Sequence, residues 1–153
     1  PNGCHVVEVE IDPDTGKVAL IKYSIVDDVG VTLNPSLLKG QIHGGIAMGM
    51  GQALMEDVNY DPKSGQLRSG SFMDYCMPRA DDFCHMEVLS NNIPTPSNPL
   101  GVKGAGEAGT VGSIPAVVNA VVDALSPLGI KHVDMPLTSE RVWRAIRGVR
   151  NSE

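Results

Sequence analysis

Basic residues are in short supply: 12 Lys and Arg stand against 18 Asp and Glu, a net charge of −6. No basic cluster offsets that balance, which argues against a nucleic-acid binder. Cysteine is scarce as well. Cys4, Cys76 and Cys84 form no CxxC pair, and an odd count does not read as a disulfide framework. A reducing, cytoplasmic setting is therefore expected. The apolar stretch around Leu38 to Leu54 is broken by Lys39, Gln41, His43 and Gln52. It stops short of the roughly 20 residues a bilayer span needs, and no membrane partner is expected. No secretory leader, lipidation motif, internal repeat or low-complexity segment is visible.

What is present suits a globular domain, or two small lobes, with 42% hydrophobic residues over 153 positions. The chain opens on Pro1-Asn2-Gly3 without an initiator Met, which suggests a piece of a longer polypeptide or a processed chain. From His5 to Asp12 the sequence alternates, with Val7, Val9 and Ile11 on one face and Glu8 and Glu10 on the other. The turn residues Asp12 to Gly16 then lead to a second strand over Val18 to Val26, completing a hairpin. Asp27 and Asp28 follow. Neighbouring strand side chains point to opposite faces, so this pair reads as a solvated strand end before it reads as a cation site. A second hairpin is expected over 58–72, around the turn 61–65, and a short strand over 86–89. Residues 73–82 show no period.

Asn34-Pro35 is a helix start, with Asn as N-cap and Pro at the first helical position. Leu38, Ile42, Ile46, Met50 and Leu54 then recur every fourth residue as one buried stripe. Five glycines (Gly40, Gly44, Gly45, Gly49 and Gly51) sit inside this helix. Each costs about 1 kcal/mol relative to Ala in a helix interior. Gln41, Gly45, Met48 and Gln52 share the face beside the stripe. That face permits either close ligand approach or tight helix packing. A second helix is predicted to start at Ser113-Ile114-Pro115, with Ile114, Val117, Val118, Val121, Val122 and Leu125 inward. Thr138 is the expected cap of a last helix with Val142, Ile146 and Val149 inward and Arg141, Arg144, Arg147 and Arg150 on a solvated face. The fold class is α+β: hairpins packed with two longer helices and a short C-terminal helix.

The stretch most suggestive of chemistry is Lys103-Gly104-Ala105-Gly106-Glu107-Ala108-Gly109. It matches G-x-G-x-x-G, but that fingerprint needs a strand just before it and an acidic residue about 20 positions on. Here a Pro-rich run precedes it, Asp123 falls inside a predicted helix, and Glu107 would oppose a pyrophosphate. A Walker loop fails because no Gly-Lys-Ser/Thr occurs. Glu107 can be a helix cap favoured by the helix dipole, or an acid or base presented on a closely approaching backbone. Burial would raise its pKa and Lys103, if turned toward it, would lower it.

The run Asn98 to Thr110, the segment Pro115 to Leu125, the stretch Gly40 to Leu54 and the segment Gly70 to Pro78 together resemble the molybdenum hydroxylase large subunits. These include xanthine dehydrogenases, aldehyde oxidases and oxidoreductases, and the aerobic carbon monoxide dehydrogenase large chain. The resemblance runs over nearly the whole chain, closest to the carbon monoxide dehydrogenase branch. It implies that residues 1–153 form a C-terminal part of a molybdopterin-binding domain, within a longer polypeptide or as a separate subunit. It further implies an oxidoreductase acting on an aldehyde, a purine-like heterocycle or a carbon monoxide-type substrate. The isolated chain is expected to be inactive.

By the same resemblance, Glu107 corresponds to a glutamate that lies beside molybdenum, does not ligate it, and acts as general base in hydroxylating members. Lys103, Gly104, Ala105 and Gly106 would line the cofactor pocket through the backbone, and Gln41 would hydrogen-bond the pyranopterin. No residue here is expected to ligate the metal. Met48 stands where many members carry a second Gln. The implied cofactor is molybdenum with molybdopterin, in its cytosine dinucleotide form, completed by upstream loops. Cys4, Cys76 and Cys84 match no iron-sulfur pattern; the family carries iron-sulfur clusters and FAD on other subunits or domains, and the resemblance implies the same here. A non-catalytic assembly module that keeps the fold is the alternative, and a standalone nucleotide-binding domain is a third.

Overall fold

The alternating residues form two long antiparallel strands, β1 (Asn2–Ile11) and β2 (Val18–Asp28), in the computed structural model. It describes residues 1–150, with the backbone alone at Arg150. A register shift opposite Glu8/Val9 bulges β2 at Ile21 and lets Val9 pair with Leu20. The connecting turn is self-capped. Asp12 accepts from the Asp14 amide at 2.9 Å and from the Thr15 hydroxyl at 2.7 Å. Gly16, at φ 72°, lies so close to α3 (Ser139–Arg150) that a Cβ would sit 2.1 Å from the Ser139 carbonyl.

A third strand, β3 (Met86–Ser90), joins β2 in parallel, giving the order β1-β2-β3. The expected second hairpin is not a pair of strands. Residues 58–72 hold a single bridge, Tyr60 to Leu67, around a turn closed by Gly65 N–H on the Asp61 carbonyl. Both arms are exposed and find no apolar face to pack on, and a lone hairpin is marginal in water. Residues 73–82 are irregular apart from one 3₁₀ turn at Ala80–Asp82.

Helix α1 (Pro35–Leu54) starts as its sequence signal says. The Asn34 side chain accepts from the Leu37 amide at 3.1 Å, and Pro35 fills the first helical position. Ile42, Ile46 and Met50 are at most 1% exposed and pack with Tyr23, Ile25 and Val117 in one core cluster. Burying each such side chain contributes about 1.5–3 kcal/mol.

Helix α2 spans Ala108–Leu125, five residues earlier than the Ser-Ile-Pro signal suggests, with Pro115 inside it. Packing overrides the local signal. The first turn is held by the Glu107 carbonyl, which accepts from Thr110 and Val111, and it lies against α1 where neither helix has a side chain. With its 3₁₀ extension to Leu128, α2 is long and apolar enough to cross a bilayer by length and composition. Its face of Val117, Val121 and Leu125 is instead buried against α1 and α3.

Helix α3 is capped by Thr138, whose hydroxyl accepts from the Arg141 amide at 3.4 Å. Val142 and Ile146 join Val121, Leu125 and Leu137 in the second core cluster. Arg144 and Arg147 do lie exposed, one paired with Glu140 at 2.6 Å and one over the Trp143 ring at 5.5 Å. Arg141 departs from that solvated face. It donates to the Met135 and Pro136 carbonyls and approaches Asp57 at 3.6 Å. The Arg150 side chain lies outside the described residues.

Candidate functional site

The site forms where α2 begins. Gly45 of α1 and Gly109 of α2 meet backbone to backbone: a Cβ on Gly109 would sit 2.5 Å from the Ile42 carbonyl, and one on Gly45 2.9 Å from the Thr110 amide. The Thr110 hydroxyl donates to the Gly45 carbonyl at 3.1 Å, fixing the axial register of the two helices. One turn on, Ser113 fills the space a Gly49 side chain would take, with its Oγ 1.8 Å from a Cβ built there. Of the two meanings open for the glycine-rich face, tight helix packing is therefore what Gly45 and Gly49 do. Gly40 and Gly44, flanking Gln41, face open space.

The glycine loop is anchored at its N-terminal leg. Gly30, at φ 68°, bridges Val102; Lys103 N–H donates to the Val29 carbonyl at 2.9 Å; and Asn98 bonds both Val102 backbone groups. The Lys103 ammonium turns to Asp28 at 2.5 Å. It is not the neighbour of Glu107 that the sequence left open. Asp28 also accepts from the Gly30 amide at 2.9 Å and the Ile93 amide at 3.1 Å. Lys103 first, then these two amides, hold its carboxyl down at about 2.

The expectation of a solvated strand end at Asp27-Asp28 is corrected. The two carboxylates do point to opposite faces, but both are buried, at 3% and 7% exposed. The chain beyond β3 covers them, with the Asn91 amide on the Asp27 carbonyl and the Ile93 amide on Asp28. Asp27 faces His5, with Oδ1 3.9 Å from Nε2, while its Oδ2 is buried without a hydrogen-bond partner. Burial pushes the Asp27 carboxyl up, against the opposing effect of His5. His5 Nδ1 is 2.6 Å from the Tyr23 hydroxyl. Burial lowers the His5 pKa, opposed by Asp27 and the Ala108 backbone, and burial raises that of Tyr23. Gly112 leaves the room for the imidazole, since a Cβ there would lie 2.4 Å from Nε2. Sequence reasoning missed this trio. The signal was the period of two: His5 precedes Val7, Val9 and Ile11 on the inward face, and Asp27 follows Tyr23 and Ile25 on theirs.

Glu107 stands at the mouth of α2, exposed, and its side chain makes no capping hydrogen bond. Its backbone carbonyl accepts the first helical hydrogen bonds, from Thr110 and Val111. It lines a cleft of about 520 Å³ together with Gly3, His5, Asp27, Gly104 and Gly106. Gln41, expected to meet a pterin, donates from Nε2 to the Gly106 carbonyl at 2.8 Å and so ties α1 to the loop. Gly104 and Gly106 have nothing within 4 Å of a built Cβ. Among the described residues, the amides of Gly104, Ala105 and Gly106 donate to no protein acceptor. No strand runs directly into the loop, since β3 ends at Ser90 and Val102 makes only an isolated bridge, so the dinucleotide fingerprint lacks its frame.

Residues 1–84, more than half of the chain, match the family model of the molybdopterin cofactor-binding domain. The chain belongs to that family. Over 97% of its length it is 43% identical to the nicotine 6-hydroxylase large subunit of Paenarthrobacter nicotinovorans, covering 18% of that protein. Over 96% it is 39% identical to the carbon monoxide dehydrogenase large chain of Hydrogenophaga pseudoflava, again 18% of the relative. Among solved structures, a Cu,Mo-CO dehydrogenase superposes with a TM-score of 0.92 at 33% identity, over 97% of this chain and 18% of that one. Quinoline 2-oxidoreductase from Pseudomonas putida 86 follows at 0.86 and 40%, over 91% of this chain and 18% of that one. The chain thus spans about a fifth of the length of these relatives.

The residues fit a polar, many-armed cofactor of this kind. A bare backbone loop offers unpaired amides beside an open cleft, and the exposed Gln41 keeps its carbonyl oxygen unused. Among the described residues no cluster of His, Cys, Asp or Glu could hold a metal ion itself.

Proposed function

We propose that this chain forms one wall of a molybdenum hydroxylase active site, with Glu107 as its general base. One observation carries the reading: a carboxylate at a helix mouth, free of hydrogen bonds, facing a cleft beside a loop stripped of side chains. When bound, the molybdenum cofactor supplies the redox chemistry and the Lewis acidity that activates oxygen. The chain's own residues hold and orient. The Gly104–Gly106 amides and the Gln41 carbonyl would bind the pterin, Lys103 would contribute its backbone, and Glu107 would take a proton at its carboxylate oxygen from the attacking oxygen nucleophile.

The finer reading places residues 1–153 as a C-terminal part of a large subunit whose remaining polypeptide completes the site. The cofactor form is the cytosine dinucleotide, and iron-sulfur and flavin subunits carry electrons away. The substrate is an aldehyde, a purine-like heterocycle or a carbon monoxide-type molecule, in keeping with relatives that are carbon monoxide dehydrogenase, xanthine dehydrogenase and aldehyde oxidoreductase subunits. Three cysteines free of disulfides support a cytoplasmic setting, which cell fractionation would test.

The test is Glu107→Gln in the complete enzyme. Turnover should fall 10²–10⁴-fold, the usual contribution of a positioned base, with molybdenum and pterin content unchanged. Turnover within about tenfold of the parent would remove the base role and favour an assembly module that keeps the fold.

A further inference from the structure

We propose that Lys103 and Gln41 act as a two-point clasp that positions Glu107, an inference resting on the general-base reading above. Gly104 and Ala105 lie between the two points, Gly106 is the second point, and Glu107 is the next residue along. At the first point, the Lys103 ammonium reaches Asp28 at 2.5 Å, and Asp28 is itself fixed by the Gly30 and Ile93 amides. The loop's entry is thereby tied to the end of β2. At the second point, the Gln41 amide donates to the Gly106 carbonyl at 2.8 Å, tying the loop's exit to α1. The acceptor at Gly106 is a carbonyl, so the group facing it must be the amide nitrogen.

The clasp answers a physical problem that the loop creates. Two glycines with open space around them leave the chain free to wander, and a free backbone residue loses roughly 1–2 kcal/mol of entropy when fixed. A base must be held within a few tenths of an ångström to work. Within the clasp, no hydrogen bond from Gly104, Ala105 or Gly106 N–H to protein does that holding among the described residues. The side chains of Lys103 and Gln41 add that holding to two backbone bonds, Lys103 N–H on the Val29 carbonyl at 2.9 Å and Ala108 N–H on the Ala105 carbonyl at 3.4 Å. Lys103 thus serves the site through its side chain as well as its backbone, and Gln41 uses one end of its amide on the loop and keeps the other for the pterin.

The experiment uses the complete enzyme with Lys103→Met, Gln41→Met and Lys103→Arg. Amide hydrogen exchange at Lys103 and Ala108, whose N–H groups donate to the Val29 and Ala105 carbonyls, should quicken about tenfold in the two Met variants, with β1 and α1 unchanged. Lys103→Arg, which keeps a charged donor for Asp28, should restore slow exchange. In Lys103→Met kcat should fall about tenfold at a KM within twofold and at full molybdenum and pterin content, while in Gln41→Met, which also removes a pterin contact, the fall in kcat should exceed what the lost pterin accounts for. Unchanged loop exchange overturns the clasp. So does an activity loss that tracks lost pterin, since the residues would then be cofactor ligands only. Glu107→Gln measured alongside separates the two claims. A loosened loop with full kcat overturns positioning if Glu107→Gln loses turnover, and overturns the base reading if it does not.

Discussion

At the seam of α1 and α2, Gly45, Gly49 and Gly109 have no room for a methyl group, whereas Gly104 and Gly106 in the adjoining loop face open space. The first set is glycine because another backbone or a serine occupies the volume. In the second set nothing of this chain occupies it. The seam determines where α2 starts, and the loop determines what can approach its first turn. Composition cannot separate these two roles, although they lie within a few residues of each other at Gly106 and Gly109. The seam is a stability feature, and the loop is the part proposed to serve the cofactor site.

The sharpest way to break this comparison is Gly109→Ala. Its methyl would meet the Ile42 carbonyl at 2.5 Å and the Ile46 amide at 3.1 Å, both backbone and unable to step aside. Overpacking of this kind should cost about 1–3 kcal/mol in urea unfolding, after a small offset from the helix preference of Ala. Loop substitutions should behave oppositely. Gly104→Ala and Gly106→Ala should leave stability within about 0.5 kcal/mol, while molybdenum and pterin recovered with the complete enzyme fall. Equal destabilisation by Gly109→Ala and Gly106→Ala would erase the distinction.

Ser113→Ala tests the seam more gently. Ser113 is fully buried against Gly49, and its hydroxyl donates to the Thr110 carbonyl at 3.1 Å. Its loss should cost about 1 kcal/mol of unfolding free energy. The smallest effect is expected from acid. Asp28 is depressed from 3.8 to about 2 in the folded chain, so its contribution is present above 3.8 and is lost as pH falls through about 2. Asp28→Asn should flatten that limb of an unfolding-against-pH curve. An unchanged limb would show that Lys103 does not hold Asp28 in solution.

Much of the framework was legible because local rules and burial agree. The N-cap at Asn34, the stripe from Leu38 to Leu54 and the hairpin of β1 and β2 are all periodic patterns that one face of a core satisfies. Two readings failed where tertiary contacts outweigh local chemistry. Pro115 looks like a helix start, yet α2 begins at Ala108 because the first turn packs on Gly45. Residues 58–72 have strand-like composition, yet without a sheet to lie on they form only one bridge. The burial of Asp27 and Asp28 was hidden as well, since the segment that covers them lies more than 60 residues away in sequence.

For the site, the sequence alone was enough to single out Glu107 and to reject a phosphate cradle, because both follow from what stands immediately before and after the glycines. It also carried the molybdenum hydroxylase resemblance, which the family match over residues 1–84 supports without reaching Glu107. Only the tertiary structure decided which residues attend the loop. Lys103 turns away to Asp28, Gln41 reaches across from α1, and His5, Asp27 and Glu107 come to share one cleft. The reason is distance along the chain. Side-chain partners separated by 65 to 75 residues are chosen by how sheet and helices stack, and no local pattern encodes that choice.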